Sequence, residues 1–378
     1  MARLDHLPLR CRAGIRVAAA CVAIACLAAT GCSAAVPERP PADAMQEDIA
    51  TAFDNAYGEG AVRAIIVQQH GEPVYEQYID STVDDTWDVR GIARAVTSTL
   101  IGIAIDRGLI RGVDATLGEL LPGWAAVLTP ETAAIPLRAV LTHTAGFPGP
   151  PYGPDLDTAP DWIAAILQDR AARGPGDGSF DSSDVGAHVL AAVVAQATGQ
   201  SPLQFARDVL FSPLGIDADP LWEERLGPSA DVDAVQQSFE DADVAWLADP
   251  QGINLGYAHL RLHPRDLLRI GQLFLREGAW EGEQVVSPSW AVEATTPVVA
   301  SPGYGTISYG YQWWVDSPRG VFFAAGPGTT VVVDRRADAV AVIASDVTID
   351  DEFANRALTS ATVVELAIAL IGDLPDTG

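Results

Sequence analysis

The side chains able to do covalent or proton-transfer chemistry in this 378-residue chain are a restricted set, because lysine is missing altogether. All 23 basic residues other than histidine are arginine, whose guanidinium keeps its proton far above neutral pH. Any mechanism that needs a side-chain amine to shed and regain a proton is therefore closed. The cysteines are Cys11, Cys21, Cys26 and Cys32, which leaves no thiol nucleophile or disulfide framework further along the chain. Serine, histidine and carboxylate remain. One short segment holds all three: Ser182, Ser183, Asp184 and His188. There His188 could take the proton of Ser182, with Asp184 orienting the ring. No Gly-x-Ser-x-Gly elbow occurs in the chain. Ser98 lies two turns down a predicted helix from Gly91, facing away or buried. His143, His188, His259 and His263 lack the one-turn spacing of a metal pair. They read as scattered core or surface histidines, and no metal or cofactor is expected. Arg94 offers a fixed cation near a helix start, where a carboxylate or phosphate could be held, with Gly91 leaving room for it.

The hydropathy pattern predicts what positions these groups. A helix is expected over 47–57, then strands over 61–69 and 74–79 about a turn at Gly71-Glu72-Pro73. A long helix over 92–107 places Val96, Leu100, Ile103 and Ala104 on one face. The middle reads as helical, most clearly at 185–197, 202–210 and 264–276. Strands return at 311–315, 321–325, 329–334 and 339–344, and a last helix covers 352–371. Strands at both ends with helices between define an α+β domain over 47–375. Its sheet layer takes about 47–115 and 285–375, and a helical lobe about 116–284. Trp222, Trp246, Trp313 and Trp314 either line a pocket or fill the core between the layers.

Charge narrows the partners. The net formal charge is −27, which argues against nucleic acid, whose binding rests on cationic contacts to phosphate. The first residues carry Arg3, Arg10, Arg12 and Arg16 before an apolar stretch over 17–30, the pattern of an export signal. That stretch ends in Ala29-Thr30-Gly31-Cys32, which resembles a bacterial lipoprotein cleavage box. Residues 1–32 are thus expected to be a signal peptide, with Cys32 lipidated and the protein anchored on the outer face of the cytoplasmic membrane; plain secretion is the alternative. Removing that segment takes four Arg and one Asp, leaving −30. Residues 33–46 are rich in Pro and Ala and read as a tether.

Five stretches carry a family resemblance. They are Trp87-Asp88-Val89-Arg90-Gly91-Ile92-Ala93-Arg94 with 95–105; Leu141-Thr142-His143-Thr144-Ala145-Gly146-Phe147; 180–190 with Ala197-Thr198-Gly199 and Pro213-Leu214-Gly215-Ile216; 256–262 with 265–273; and Tyr309-Gly310-Tyr311-Gln312-Trp313-Trp314 leading to 324–330. In this order they resemble the β-lactamase-related serine hydrolases, nearest to the esterase, 6-aminohexanoate-dimer-hydrolase and class C β-lactamase type. The resemblance implies a β-lactamase/DD-peptidase-like fold, an antiparallel sheet flanked by helices plus a helical lobe. It also implies a Ser-x-x-Lys pair on the first turn of a helix, and here those positions are Gly91 and Arg94. The Tyr-x-Asn positions become Ser182 and Asp184. The third motif falls at Gly326-Pro327-Gly328-Thr329, with Pro327 as counterpart. Such a protein is expected to be catalytically inactive, a pseudoenzyme that binds a small molecule or cell-envelope partner through the former cleft. A peptide-like or cell-wall fragment is the ligand by analogy. Arg94, Asp184, His259 and Thr329 are its candidate contacts, and Arg94 is expected to pair with Asp184 across the cleft. The alternative is an active hydrolase of amides or esters using Ser182.

Overall fold

The computed structural model describes residues 62–345, except 150–152, 157, 175 and 304, together with 353–372 and 374. The expected leader, Cys32, the tether and the helix over 47–57 lie outside the described residues. Thirteen strands are described. They are β1 (Val62–Gln69), β2 (Glu72–Tyr78), β3 (Trp87–Asp88), β4 (Ala245–Trp246), β5 (Leu260–Leu262), β6 (Ala279–Trp280), β7 (Glu283–Gln284), β8 (Val299–Ala300), β9 (Ser308–Tyr309), β10 (Trp314–Asp316), β11 (Val321–Gly326), β12 (Thr329–Asp334) and β13 (Ala339–Ser345). Eight of them form the main sheet, in the order β2-β1-β13-β12-β11-β10-β9-β8. Its pairings are antiparallel, and β1 joins the C-terminal strands through Ile65 opposite Ile343. Both ends of the domain thus complete one sheet, as the pattern of strands implied.

Strand residues with alternating faces build two cores. Val321, Phe323, Val332, Ala341 and Ile343 face the C-terminal helix, packing on Val363, Val364, Ala367 and Leu370. Phe322, Ala324, Val331, Val333, Val340 and Val342 face the opposite way into the large core. The helices named here are α1 (Ala93–Asp106), α2 (Trp162–Ala172), α3 (Asp184–Thr198), α4 (Val232–Asp241), α5 (Pro264–Leu275) and α6 (Phe353–Gly372). Helix α6 covers the first face; α1 and α5 lie on the second, and α3 packs on α1. Two close approaches need glycine. A side-chain carbon at Gly102 of α1 would overlap the Trp290 indole, and one at Gly256 would overlap the Ala187 carbonyl of α3.

Several boundaries differ from the sequence expectation, each for a local reason. The first turn falls at His70 and Gly71, both at positive φ, so Glu72 and Pro73 already belong to β2. Pro73 is tolerated because β2 is an edge strand. The helix expected over 202–210 stops being α at Ala206 and widens into a π turn over Arg207–Phe211. The strand expected over 311–315 begins only at Trp314, since Gln312 has φ +65° and sends its amide to the Leu141 carbonyl at 2.8 Å. The small β3-β5-β4 sheet and the strands β8 and β9 were not foreseen. All are two or three residues long, too short for a periodic signal.

Candidate active site

The site begins at the entry to α1. Asp88 accepts a hydrogen bond from the Arg90 backbone N–H at 2.8 Å, and His259 Nδ1 stands 3.1 Å from its other oxygen. Burial alone would push the Asp88 carboxyl up, but His259 and Arg90 outweigh it and hold the group below the usual range. Arg90 takes φ +53° and opens a single 3-10 turn over Arg90–Ile92 before α1 starts. The end of β11 lies directly on that turn. A side-chain carbon at Gly91 would overlap the Ala325 carbonyl oxygen, and one at Gly326 would overlap Arg90 and the Gly91 nitrogen. Two facing glycines let the backbones touch. Gly91 therefore leaves no space for a ligand there, which corrects the expectation that it would.

One turn on, Arg94 reaches across to α3. Its guanidinium pairs with Asp184 and donates to Ser182 Oγ at 2.9 Å. Burial would lower its pKa; Asp184 and a hydrogen bond with Tyr309 reverse that and raise it. Arg94 is thus a permanent cation, and its Nε has no partner among the described residues. Asp184 sits at the first position of α3 because Ser183 caps the helix. The Ser183 hydroxyl accepts from the Gly186 N–H at 2.9 Å and donates to the Pro148 carbonyl at 2.8 Å. His143 supports that cap from below, since its Nδ1 accepts from the Ser183 N–H at 3.2 Å. The His143 ring packs 5.1 Å from Tyr309 and 6.0 Å from Phe180, and Trp314 closes the same aromatic wall.

His143 is buried, and burial followed by the nearby Arg94 charge drives its pKa well below the ordinary value, against a smaller push from Gln312. The folded ring therefore takes its proton only at lower pH than the unfolded chain, which binds one at about pH 6.5. The depressed folded pKa means stability is intact above that pH and falls as pH drops through it. Urea unfolding at pH 7.5 and 5.0 should show wild type losing about 1–2 kcal/mol more than His143→Gln over that interval. Equal losses would show that His143 is not held neutral.

The other candidates fall elsewhere. His188 does not serve Ser182. It is wholly buried on α3, with Nε2 3.1 Å from the equally buried Asp249, and its Nδ1 has no partner among the described residues. The Ser182-His188-Asp184 arrangement is therefore not formed, since Asp184 and Ser182 both engage Arg94. Thr329 is fully buried at the start of β12, so it is a core residue rather than a ligand contact. His259 is spent on Asp88 and its ring packs against Phe239. Pro327 occupies the β11–β12 turn; Ala325 and Gly326 are the residues that meet Gly91. Ser98 is buried in α1. Trp246 and Trp313 are core residues, Trp314 borders the site and Trp222 lines a separate groove. Tyr309 was missed as a site residue, although it opens one of the motif stretches.

An antiparallel sheet with helices on both faces, and a site where the start of α1, the start of α3 and the end of β11 converge, is the architecture of the β-lactamases and penicillin-binding proteins. The chain belongs to the Beta-lactamase family, whose model matches residues 50–363. It is 27% identical over 216 residues to penicillin-binding protein 4 of Amycolatopsis lactamdurans, a match covering 56% of each chain, little more than half that relative's length. It is 24% identical over 314 residues to the 6-aminohexanoate-dimer hydrolase of Paenarthrobacter ureafaciens, covering 75% of this chain and 72% of that one. Its fold matches that of a penicillin-binding protein homologue from Caulobacter crescentus with a TM-score of 0.64 at 16% identity, over 89% of this chain and 98% of the other. The resemblance drawn from the five stretches holds for family and fold.

Proposed function

We propose that the protein is a catalytically silent member of this family that binds an envelope ligand without cleaving it. In this reading Gly91 and Arg94 stand where the serine nucleophile and its lysine base stood, and Ser182 and Asp184 stand where the Tyr-x-Asn pair stood. The observation that carries it is the Arg94 guanidinium, locked between Asp184 and Ser182 beside a residue with no side chain. Acyl transfer needs a nucleophile and a group able to take its proton. A guanidinium raised further in pKa by Asp184 cannot be that group. Ser182 has the only hydroxyl bonded to Arg94 apart from Tyr309 among the described residues, and a cation rather than a base is its neighbour.

The names of the two curated relatives point to amide-bearing compounds, so a peptide-like fragment is the ligand class proposed. Phe180 and Trp314 offer partly exposed aromatic surface for it around Tyr309, which bonds Arg94. Export and a lipid on Cys32 would place the domain at the outer face of the cytoplasmic membrane, within reach of such fragments. The test of silence is incubation with a fluorophosphonate and with a penicillin-type probe, followed by intact mass. The unmodified mass is expected with both. Stoichiometric labelling by either one overturns the reading.

A further inference from the structure

We propose that a polar groove remote from Arg94 is a binding site for a small carboxylate ligand, with Arg225 as its anion contact. The groove has a volume of about 360 Å³ and lies between the chain after α3 and the segments around 221–225 and 248–254. Among the arginines whose side chains are described, Arg225 is the one whose guanidinium has no carboxylate, carbonyl, hydroxyl or ring as partner. In a chain with a net charge of −27, a cation left unpaired is conspicuous, since carboxylates outnumber guanidiniums about two to one.

The guanidinium lies over a glycine. A side-chain carbon at Gly252 would stand 2.7 Å from the Arg225 Cζ, so the planar group lies over that glycine. Gly252 has φ +81° and closes a turn whose N–H groups at Gln251 and Ile253 bond to Asp249 Oδ1 at 2.9 and 2.8 Å. Asp249 is in turn held by the buried His188. The Arg225 backbone is pinned beside Ala248, and the next residue's N–H bonds to the Ala248 carbonyl at 2.7 Å. Trp222 is fixed as well, its indole N–H donating to Ser238 at 3.2 Å and its ring packed edge-on against Phe239. The Trp222 wall and the backbone that carries Arg225 are therefore formed before any ligand arrives, which limits the ordering cost of binding.

Ligand chemistry follows from the lining. One planar guanidinium matches one carboxylate through two parallel hydrogen bonds. A phosphate dianion would bring a second charge with no second cation to meet it. Leu221 and Trp222 supply an apolar face, Gln204 an amide that both donates and accepts, and the exposed Glu223 a carboxylate that a second negative charge on the ligand would meet. A peptide C-terminus and an acidic sugar share this chemistry. This site does not depend on the reading of Gly91 and Arg94.

The test is an NMR titration of the full chain, isotope-labelled at glycine and arginine. N-acetylglycine represents the peptide carboxylate and glucuronate the acidic sugar; N-acetylglycinamide and glucose are their uncharged counterparts. Saturable shifts at the Gly252 N–H and Arg225 Nε–H are expected with one or both acids, and not with the uncharged pair. The Gly252 shift should saturate at least about tenfold later in Arg225→Gln, the worth of a charge-assisted bond. Arg225 is exposed, and an unchanged melting temperature would show that the variant folds. The acid that saturates first identifies the source. No saturable shift with either acid, equal affinity in Arg225→Gln, or equal binding of the uncharged counterparts overturns the proposal.

Discussion

Asp184→Asn is expected to destabilise the protein by about 2–4 kcal/mol, more than Arg94→Met, at about 1–2 kcal/mol, although both break one ion pair. The asymmetry comes from what each variant strands. Without Asp184, a guanidinium only 15% exposed keeps its charge with neutral partners alone, Ser182 and Tyr309. It cannot escape by losing a proton. Without Arg94, the Asp184 carboxylate is still 31% exposed. It sits in the first turn of α3, where the helix dipole favours an anion, and methionine fills much of the vacated volume. The double variant is expected to cost less than the sum of the singles, because no charge is left unpaired. Urea unfolding of the four proteins measures this cycle. Additive losses, or a larger loss from Arg94→Met, would mean that the pair does not hold the site together.

Much of this geometry was legible in the sequence, and the rest was hidden for identifiable reasons. The long strands β1, β12 and β13 and the helices α1, α3 and α5 were readable because each sustains its hydrophobic period over several residues. The Arg94–Asp184 pair was readable because two motifs fixed both positions in a shared architecture. His188 is the core histidine its lack of metal spacing implied; the alternative that made it a base for Ser182 fails because a helical wheel places it near Asp184, while its partner Asp249 is 61 residues away and is brought there only by the folding of the loop before β5. Thr329 illustrates a related limit. Its place near the third motif says nothing of which face it takes, and the β12 pairing turns it into the core. The turn at Gly326-Pro327-Gly328 carries a strong turn signal, so Pro327 could have been placed outside the strand from composition alone. Contact between Gly91 and Ala325 had no such signal. Two glycines more than two hundred positions apart are individually unremarkable, and only the strand's approach shows that each excludes a side chain for the other's sake.

That contact makes a strong prediction about placing a hydroxyl at position 91. Gly91→Ser is expected to cost about 1–3 kcal/mol, the usual penalty for forcing extra atoms into a packed site. The obstacle is the backbone carbonyl of Ala325 rather than a side chain that could rotate away. Introducing an amine as well, in Gly91→Ser with Arg94→Lys, should still give no acylation by a penicillin-type probe. The amine would lie against Asp184, which favours its charged form, whereas a proton acceptor must be neutral. Adding Asp184→Asn removes that constraint but not the Ala325 carbonyl, so the triple variant should acylate slowly if at all. Intact mass after incubation with the probe reads all three proteins. Stoichiometric acylation at position 91 in the double variant would mean that the β11 edge yields freely and that Asp184 does not hold the amine protonated. The silence proposed for the protein would then come down to two side chains rather than to a site closed by its own backbone.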